Sequence, residues 1–223
     1  TLCRESVTYT VRRNNIEVTA SHRFCNAAPV TIAIYYGMQS MFEGETHVLT
    51  PGGAYTDWTE VAKASTFTKQ EHPLFRRYVE KNRQGYQSTW LLPDGLGDHA
   101  LLDGQDDIFI YAPYGKSYHK LIGNKRMENG DKTCWRGVYT WFETPIADDA
   151  DLLCYEGSVG GHTAVFIDCK QACKRTLALP GYLDLRHFGT AEQNSGIRIS
   201  AAGRNKLKIK AGAPGSCVLL LRE

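Results

Sequence analysis

The segment that decides the fold is "VTYTVRRNNIEVTASHRF", residues 7–24, in which apolar and polar side chains alternate on either side of a polar centre. Every second position of each half is apolar: Val7, Tyr9 and Val11, then Ile16, Val18 and Ala20. A period of two is typical of a β-strand with one buried face. Asn14 and Asn15 tolerate the positive φ angles of a tight turn, so the segment predicts a β-hairpin.

Similar strand patterns follow through most of the chain. Examples are "VTIAIYY" at residues 30–36, "IFIYAPY" at 108–114 and "HTAVFID" at 162–168. Roughly a dozen or more such runs follow one another at a spacing of about 8–15 residues. This pattern favours an all-β fold, a large antiparallel β-sandwich, over alternating strands and helices. No repeat or linker divides the sequence, so we expect one domain over residues 1–223.

One segment departs from the strand pattern and predicts a short helix. It is "HPLFRRYVEKN", residues 72–82, where Pro73 suits the first helical turn. Apolar side chains recur at helical spacing at Leu74, Phe75, Tyr78 and Val79. On such a helix the neighbouring basic side chains would point away from the core. We expect this helix to cover an edge or an end of a sheet.

Composition excludes several classes of function. The chain has 223 residues, of which 42% are hydrophobic and 22% charged, and a net charge of +2. This balance gives no reason to expect a nucleic-acid partner. No apolar run approaches the length of about 18 residues that a membrane span needs. The densest basic cluster, "GRNKLKIK" at residues 203–210, alternates with apolar residues and predicts a strand with one solvated lysine-bearing face.

The seven cysteines do not form a dense disulfide pattern. They are Cys3, Cys25, Cys134, Cys154, Cys169, Cys173 and Cys217. Their number is odd, and several lie in apolar runs where a thiol acts as a small hydrophobic group. We expect reduced or loosely paired cysteines, with one loop disulfide between Cys169 and Cys173 as the alternative. A periplasmic or secreted location is favoured.

Motifs for nucleophilic or metal chemistry are weak. "EGSVGGH" at residues 156–162 lacks the glycine that a nucleophile elbow needs before Ser158, because Glu156 takes that place. No cofactor is expected. A calcium ion is the alternative, since an acidic loop offers carboxylate oxygens. Its aspartates are Asp94, Asp98, Asp103, Asp106 and Asp107. His99 in the same loop is the candidate for proton transfer if the protein is an enzyme.

The aromatic residues point to a ligand more clearly. Four tryptophans and twelve tyrosines occur, many of them at strand ends. In "CWRGVYTWF", residues 134–142, Trp135 stands beside Arg136, and a bulge at Gly137 would re-aim the side chains around it. An exposed tryptophan beside an arginine suits a sugar, because the ring packs on C–H faces while the charge binds hydroxyls. The alternative is that these aromatic residues fill a large β core.

Residues 22–42, "HRFCNAAPVTIAIYYGMQSMF", resemble a strand pair of the galactose mutarotase-like β-supersandwich family. Asn26, Pro29, Gly37 and Phe42 occupy similar places. The resemblance implies a supersandwich-like fold with a sugar cleft. Catalytic members of the family carry a general-acid histidine where this chain has Gln39. Because glutamine cannot exchange a proton near neutral pH, the resemblance supports sugar binding more than mutarotation.

These observations define the expected function and its alternatives. The first hypothesis is a carbohydrate-binding or carbohydrate-processing domain with a carbohydrate as its ligand and no nucleic-acid partner. Its predicted binding residues are Tyr35, Tyr36, Gln39, Trp90, Asp94, Trp135 and Arg136. The second hypothesis is a structural or interaction module of a secreted or surface protein. A calcium-dependent lyase-like domain is the third.

Overall fold

The computed structural model describes residues 1–42, 44–60, 65–95, 101–112, 114–194 and 196–221. Within these residues the chain is all-β and contains no helix. The strands, in chain order, are β1 Cys3–Arg12, β2 Asn15–Phe24, β3 Val30–Met41, β4 His47–Leu49, β5 Thr59–Glu60, β6 Ser65–Thr68, β7 Arg77–Asn82, β8 Gly85–Gly95, β9 Asp107–Tyr111, β10 Lys116–Met127, β11 Lys132–Phe142, β12 Ala147–Asp148, β13 Leu152–Val159, β14 His162–Cys169, β15 Cys173–Ala178, β16 Phe188–Gln193, β17 Ile197–Gly203, β18 Lys206–Ala211 and β19 Gly215–Leu221.

The strands form four antiparallel sheets. Sheet A has the order β1-β2-β11-β8-β7-β4-β5, and sheet B has the order β3-β10-β9-β6. Sheet C has the order β12-β13-β14-β19-β16, and sheet D has the order β15-β18-β17. The sandwich-like fold expected from the sequence is therefore confirmed.

Three hydrophobic interfaces stack the sheets in the order B, A, C, D. Met38 and Leu121 of sheet B pack against Val18 of sheet A. Trp90 of sheet A packs in one cluster with Phe166 of sheet C. A third cluster joins the opposite face of sheet C to sheet D. The central strands of sheets A and C are therefore covered on both faces, whereas the edge strand β1 of sheet A is exposed.

The hairpin predicted over residues 7–24 is confirmed. β1 and β2 pair in register from Cys3 opposite Phe24 to Arg12 opposite Asn15. The turn residues are Arg13 and Asn14 rather than the expected Asn14 and Asn15, because β2 already begins at Asn15. The positive φ, of 46°, is at Arg13. β1 lies at the edge of sheet A, so Tyr9 is 66% exposed although it follows the apolar alternation.

The predicted helix over residues 72–82 is wrong. Residues 77–82 form β7, a central strand of sheet A, preceded by a turn. Val79 packs in the cluster shared with sheet C, and Tyr78 packs in the cluster on the sheet B side. Because both faces of β7 are buried, its apolar residues do not alternate, and together with the turn residues they imitate a helical period. Arg77, which the helix would have exposed, is only 1% exposed.

Two glycines make room for side chains where sheets A and B meet. Gly37 accommodates Leu121 of its own sheet B, whereas Gly137 of sheet A accommodates Met38 of sheet B. A Cβ atom on Gly37 would lie 1.9 Å from Leu121 Cδ1, and a Cβ atom on Gly137 would lie 2.1 Å from Met38 Sδ. The pairing of β10 with β3 is irregular beside Gly37, and the pairing of β11 with β8 shifts between Trp135 and Gly137. The extra residues of this shift lie on β8, between Leu91 and Gly95, and β11 pairs with β2 regularly through Gly137, so the prediction of a bulge at Gly137 is wrong.

Candidate functional site

Three predicted binding residues line one groove between sheets A and C. Trp90, Asp94 and Arg136 belong to a cavity of about 370 Å³, which we call the A/C groove. Its other lining residues are Leu92, Pro93, Val159, Gly160, His162, Ala191 and Leu220. The volume is within the usual range for small-ligand pockets. β8 and β11 supply the sheet A wall, and β13, β14, β16 and β19 reach it from sheet C.

Trp90 forms the base of the A/C groove and is 1% exposed. Its Nε1 donates a hydrogen bond of 2.5 Å to Glu192 Oε2, and its ring meets Phe166 edge-on at 5.4 Å between centroids. Burial raises the pKa of Glu192. Trp90 therefore supports the groove from below, which differs from the exposed stacking surface expected from the sequence.

Arg136 stands at the rim and is held by two carboxylates. Its Nη2 donates to Glu17 Oε1 at 2.6 Å, and its Nη1 donates to Asp94 Oδ2 at 3.2 Å. The hydrogen bond to Glu17 raises the pKa of Arg136, so the guanidinium stays charged. Glu17 Oε2 also accepts a hydrogen bond of 2.9 Å from Gly160 N, which fixes it against sheet C. A guanidinium has five N–H donors, so this arrangement leaves donors for a ligand.

Tyr35 and Trp135 lie at the interface of sheets A and B instead. Trp135 Nε1 donates a hydrogen bond of 3.0 Å to Tyr35 Oη, and Trp135 is 5% exposed. Burial raises the pKa of Tyr35. Because successive residues of a strand face opposite ways, Trp135 and Arg136 point to different interfaces. The exposed platform expected at Trp135 is therefore absent at this position.

The same interface contains a row of hydrogen-bonded polar side chains from three adjacent strands. His22 Nε2 lies 2.8 Å from Glu5 Oε2, and His22 Nδ1 lies 3.0 Å from Thr133 Oγ1. The His22 ring also meets the Tyr35 ring edge-on at 5.1 Å. His22 is 7% exposed and Thr133 6%, so this row satisfies buried polar groups beneath sheet B.

Tyr36 and Gln39 face outward on sheet B. The irregular pairing beside Gly37 places both on the side that carries Tyr118. The Tyr36 and Tyr118 ring centroids lie 4.6 Å apart, and Tyr114 Oη lies 2.7 Å from Tyr118 Oη. The main chain of Gln39 is fixed from the other side, since its N–H donates to Tyr139 Oη at 3.1 Å. The predicted binding residues thus occupy three separate places.

Sequence reasoning missed His162, which lines the A/C groove, and Glu17, which holds Arg136 at its rim. Glu17 lies within the alternating hairpin, and His162 follows the glycine turn at residues 160–161. Their only sequence signal is a polar residue at a strand position. The long-range pairing of β11 with β2 places Arg136 opposite Thr19, close enough for Glu17 to reach it. No local pattern specifies that pairing.

Other sequence predictions concern the acidic loop. His99 and Asp98 lie outside the described residues. Asp103 Oδ1 lies 2.9 Å from Lys125 Nζ, and Asp106 Oδ1 lies 2.9 Å from Lys120 Nζ. In the part of the chain that the structure describes, no group of three or more His, Cys, Asp or Glu side chains could hold a metal ion. The described residues also include no helix long and apolar enough to cross a membrane.

The cysteines are thiols in the structure. Cys169 Sγ and Cys173 Sγ, the pair considered for a loop disulfide, lie 4.0 Å apart. Burial raises the pKa of Cys169, which makes its thiolate a minor species at neutral pH.

Comparison of the chain with models of protein families, with curated proteins and with solved structures found no match. The site is therefore defined by its own geometry. It combines an apolar base, the Asp94 carboxylate and an arginine, Arg136, which Asp94 and Glu17 hold in place.

Proposed function

We propose that the protein is a carbohydrate-binding domain of galactose mutarotase-like type and that the A/C groove holds one or two sugar residues. The observation that carries this proposal is Arg136, fixed between Glu17 and Asp94 beside an apolar groove. Fixed donors and acceptors recognise hydroxyl groups at little entropic cost, because their geometry exists before binding.

The chemistry of the groove suits the two kinds of surface that a sugar presents. Leu92, Val159 and Leu220 supply apolar area for C–H groups. Arg136 donates hydrogen bonds, and the Asp94 carboxylate, which is 47% exposed, accepts them from hydroxyls. The proposal does not include mutarotation, because Gln39, which stands in the place of the family's general-acid histidine, cannot act as an acid near neutral pH and does not line the A/C groove.

The proposal is tested by screening the intact protein on an array of neutral glycans and titrating the best ligand calorimetrically. Arg136→Gln and Asp94→Asn each remove a charged partner for hydroxyl groups. We expect each to weaken binding roughly tenfold, because a hydrogen bond to a charged group contributes about 1.5–3 kcal/mol. Arg126→Gln is the matched control, since Arg126 is 68% exposed and pairs with Glu128 outside the groove.

Two results would contradict the proposal. One is that the protein binds no neutral glycan on the array. The other is unchanged affinity in both groove variants. A loss of affinity confined to Gln39→Ala would move the site to the outer face of sheet B, beside Tyr36 and Tyr118.

A second candidate function, an interaction module, is favoured by the edge strand β1. Tyr9 is 66% and Val11 69% exposed on one face of this edge strand. Edge strands with apolar side chains offer unpaired backbone groups to a second chain. If a second copy of this chain pairs there, sedimentation equilibrium will show a dimer that Tyr9→Lys dissociates. A monomer at all concentrations would rule this self-association out.

A further inference from the structure

The outer face of sheet D concentrates basic side chains that the alternation of "GRNKLKIK" only partly predicts. Lys206, Lys208 and Lys210 of β18 are exposed, while Leu207 and Ile209 between them are buried at 0% and 1% exposure. The predicted solvated lysine-bearing face is therefore confirmed. The neighbouring strands β15 and β17 add two further cations to it.

Register brings these cations together. Lys210 lies directly opposite Lys174 of β15 on one side and Arg198 of β17 on the other. Lys208 lies between Thr176 and Ser200 in the next row on the same face. Adjacent strands are about 4.8 Å apart, so the row of three cations spans roughly 10 Å. We call the surface formed by Lys174, Arg198, Lys206, Lys208 and Lys210 the basic face.

The basic face lacks internal compensation. Among the described residues, no carboxylate lies within ion-pair distance of its five cations, whereas Arg175 at the edge of the sheet pairs with Asp149 and Asp151. Like charges directly opposite on neighbouring strands are destabilising. This surface therefore carries an electrostatic cost in the unbound protein, although the chain as a whole has a net charge of only +2.

The shape of the basic face suits an extended ligand. A shallow cavity of about 590 Å³ lies against it, lined by four of the five cations together with Thr176 and Ser200. The two hydroxyl groups flank Lys208 and add donors and acceptors between the charges. A chain lying across the three strands can therefore meet positive charge and hydroxyl groups in successive rows.

The side chains of the basic face also limit the class of ligand. The described lining of the cavity contains no aromatic residue, so bases of a single-stranded nucleic acid would find no stacking surface. It offers only Ile199 and Ile209 as apolar residues, and Ile209 is turned to the core, which does not suit insertion into a membrane. Sulfate and carboxylate groups on a flexible polar chain need neither feature.

We propose that the basic face binds a linear glycan that carries sulfate or carboxylate groups. The glycan character of this ligand rests on the proposed function, whereas its negative charge follows from the basic face alone. The site is separate from the A/C groove, so one chain would hold a neutral sugar at the groove and an acidic segment at sheet D.

The test uses the intact protein and a size-defined heparin oligosaccharide, with unsulfated dextran as the neutral counterpart. The triple variant Lys174→Gln/Lys208→Gln/Lys210→Gln removes three cations of the basic face. The matched control, Arg83→Gln/Arg126→Gln/Arg186→Gln, removes the same charge from three exposed positions outside sheet D that do not form a row. We expect the first variant to bind heparin roughly tenfold or more weakly, since each exposed charge contact contributes a few-fold. The control keeps its affinity, and Lys208→Arg/Lys210→Arg, which retains the charges, binds as the parent does.

Several outcomes overturn the inference. Equal losses in both triple variants would mean non-specific attraction by net charge. Binding of single-stranded DNA or of phosphatidylserine vesicles, without binding of heparin, would replace the glycan by another polyanion. Neutral-glycan affinity is measured on the same variants. Neutral-glycan affinity depends on the A/C groove and therefore tests the proposed function. Heparin affinity tests the basic face, so the two proposals can fail independently.

Discussion

β7 packs against sheet C on one face and against sheet B on the other, and its buried ionisable side chains have different partners at these two interfaces. Arg77 faces sheet C and pairs with Asp168 of β14, and both side chains are almost fully buried. Three residues further on, Glu80 faces sheet B with 0% exposure and is met by hydroxyl groups rather than a cation. Ser117 Oγ donates to Glu80 Oε1 at 2.8 Å, and Ser40 Oγ donates to its second oxygen.

The pKa values express this difference. Burial alone would lower the pKa of Arg77, but the Asp168 carboxylate raises it, so the guanidinium stays charged. Burial raises the pKa of Asp168 to about 6, so the carboxylate is still ionised at neutral pH. Burial raises the pKa of Glu80 to about 7, and the two serines only partly oppose that shift. One interface therefore depends on an ion pair, and the other on a carboxyl group that is easily protonated.

Removal of the ion pair should have the largest effect. Arg77→Met leaves the Asp168 carboxylate buried without its cation, so we expect a loss of about 3–5 kcal/mol in unfolding free energy. Urea denaturation followed by circular dichroism measures it. The double variant Arg77→Met/Asp168→Leu should recover most of the loss, because an apolar pair can replace a buried ion pair. A single variant within about 1 kcal/mol of the parent would mean that the pair does not control this interface.

Raising the pH should weaken the interface of sheets A and B. The pKa of Glu80 rises from 4.5 to about 7 on folding, so the folded state retains the proton more strongly. Its contribution is complete below pH 4.5 and is lost as the pH rises through 7, in total about 3 kcal/mol. Unfolding free energies from pH 5 to 8 should fall in the parent and fall less in Glu80→Gln. Asp168 adds a smaller slope of the same sign to both proteins. Parallel curves would contradict the role of Glu80.

The smallest effect is expected at the edge of the interface of sheets A and C. Asp148 Oδ2 accepts hydrogen bonds from Lys81 Nζ at 2.7 Å and Tyr86 Oη at 2.9 Å, and its Oδ1 accepts from Trp58 Nε1 and Lys170 Nζ, each at 2.9 Å. Burial would raise the pKa of Asp148, but these hydrogen bonds lower it. Its contribution is therefore present above its ordinary pKa of 3.8 and is lost as the pH falls further.

Asp148→Asn should cost about 2 kcal/mol at neutral pH and reduce the acid-side loss of stability. Thermal unfolding between pH 2 and 7 measures both effects. Asp184→Asn is the control, because Asp184 pairs with Arg186 and Arg204 on the exposed surface. An equal effect of the two substitutions would show that burial at the interface adds nothing to the Asp148 hydrogen bonds.

Sequence patterns predicted strands with one solvated face and also β14, which is buried on both faces, but they failed at β7. The alternation of lysines with apolar residues in β18 predicted both the strand and its exposed lysine side chains. β7 lacks that alternation because Tyr78 and Val79 pack on different sheets, and it was therefore mistaken for a helix. The same rule misplaced Trp135: a strand with a single core face would not bury both Trp135 and Val138, but sheet A has two such faces.

The candidate site was only partly predictable for a different reason. Trp90, Asp94 and Arg136 were recognised by residue type, and the pairing of β8 with β11 brings them into one groove. Tyr35 and Gln39 have equally suitable chemistry but lie on sheet B. Which candidates converge depends on strand pairing across more than forty positions of sequence, as between Trp90 and Val138. Local periodicity carries no information at that range.

The placement of two tryptophans makes the interfaces separately visible to spectroscopy. Trp90 lies between sheets A and C beside Phe166, and Trp135 lies between sheets A and B beside Tyr35. Indole fluorescence changes when water reaches the ring. Replacement of Trp90 or Trp135 by phenylalanine therefore removes the fluorescence signal of one of the two interfaces. When Trp58 and Trp141 are replaced as well, the emission that remains follows the hydration of a single interface while the other opens or stays closed.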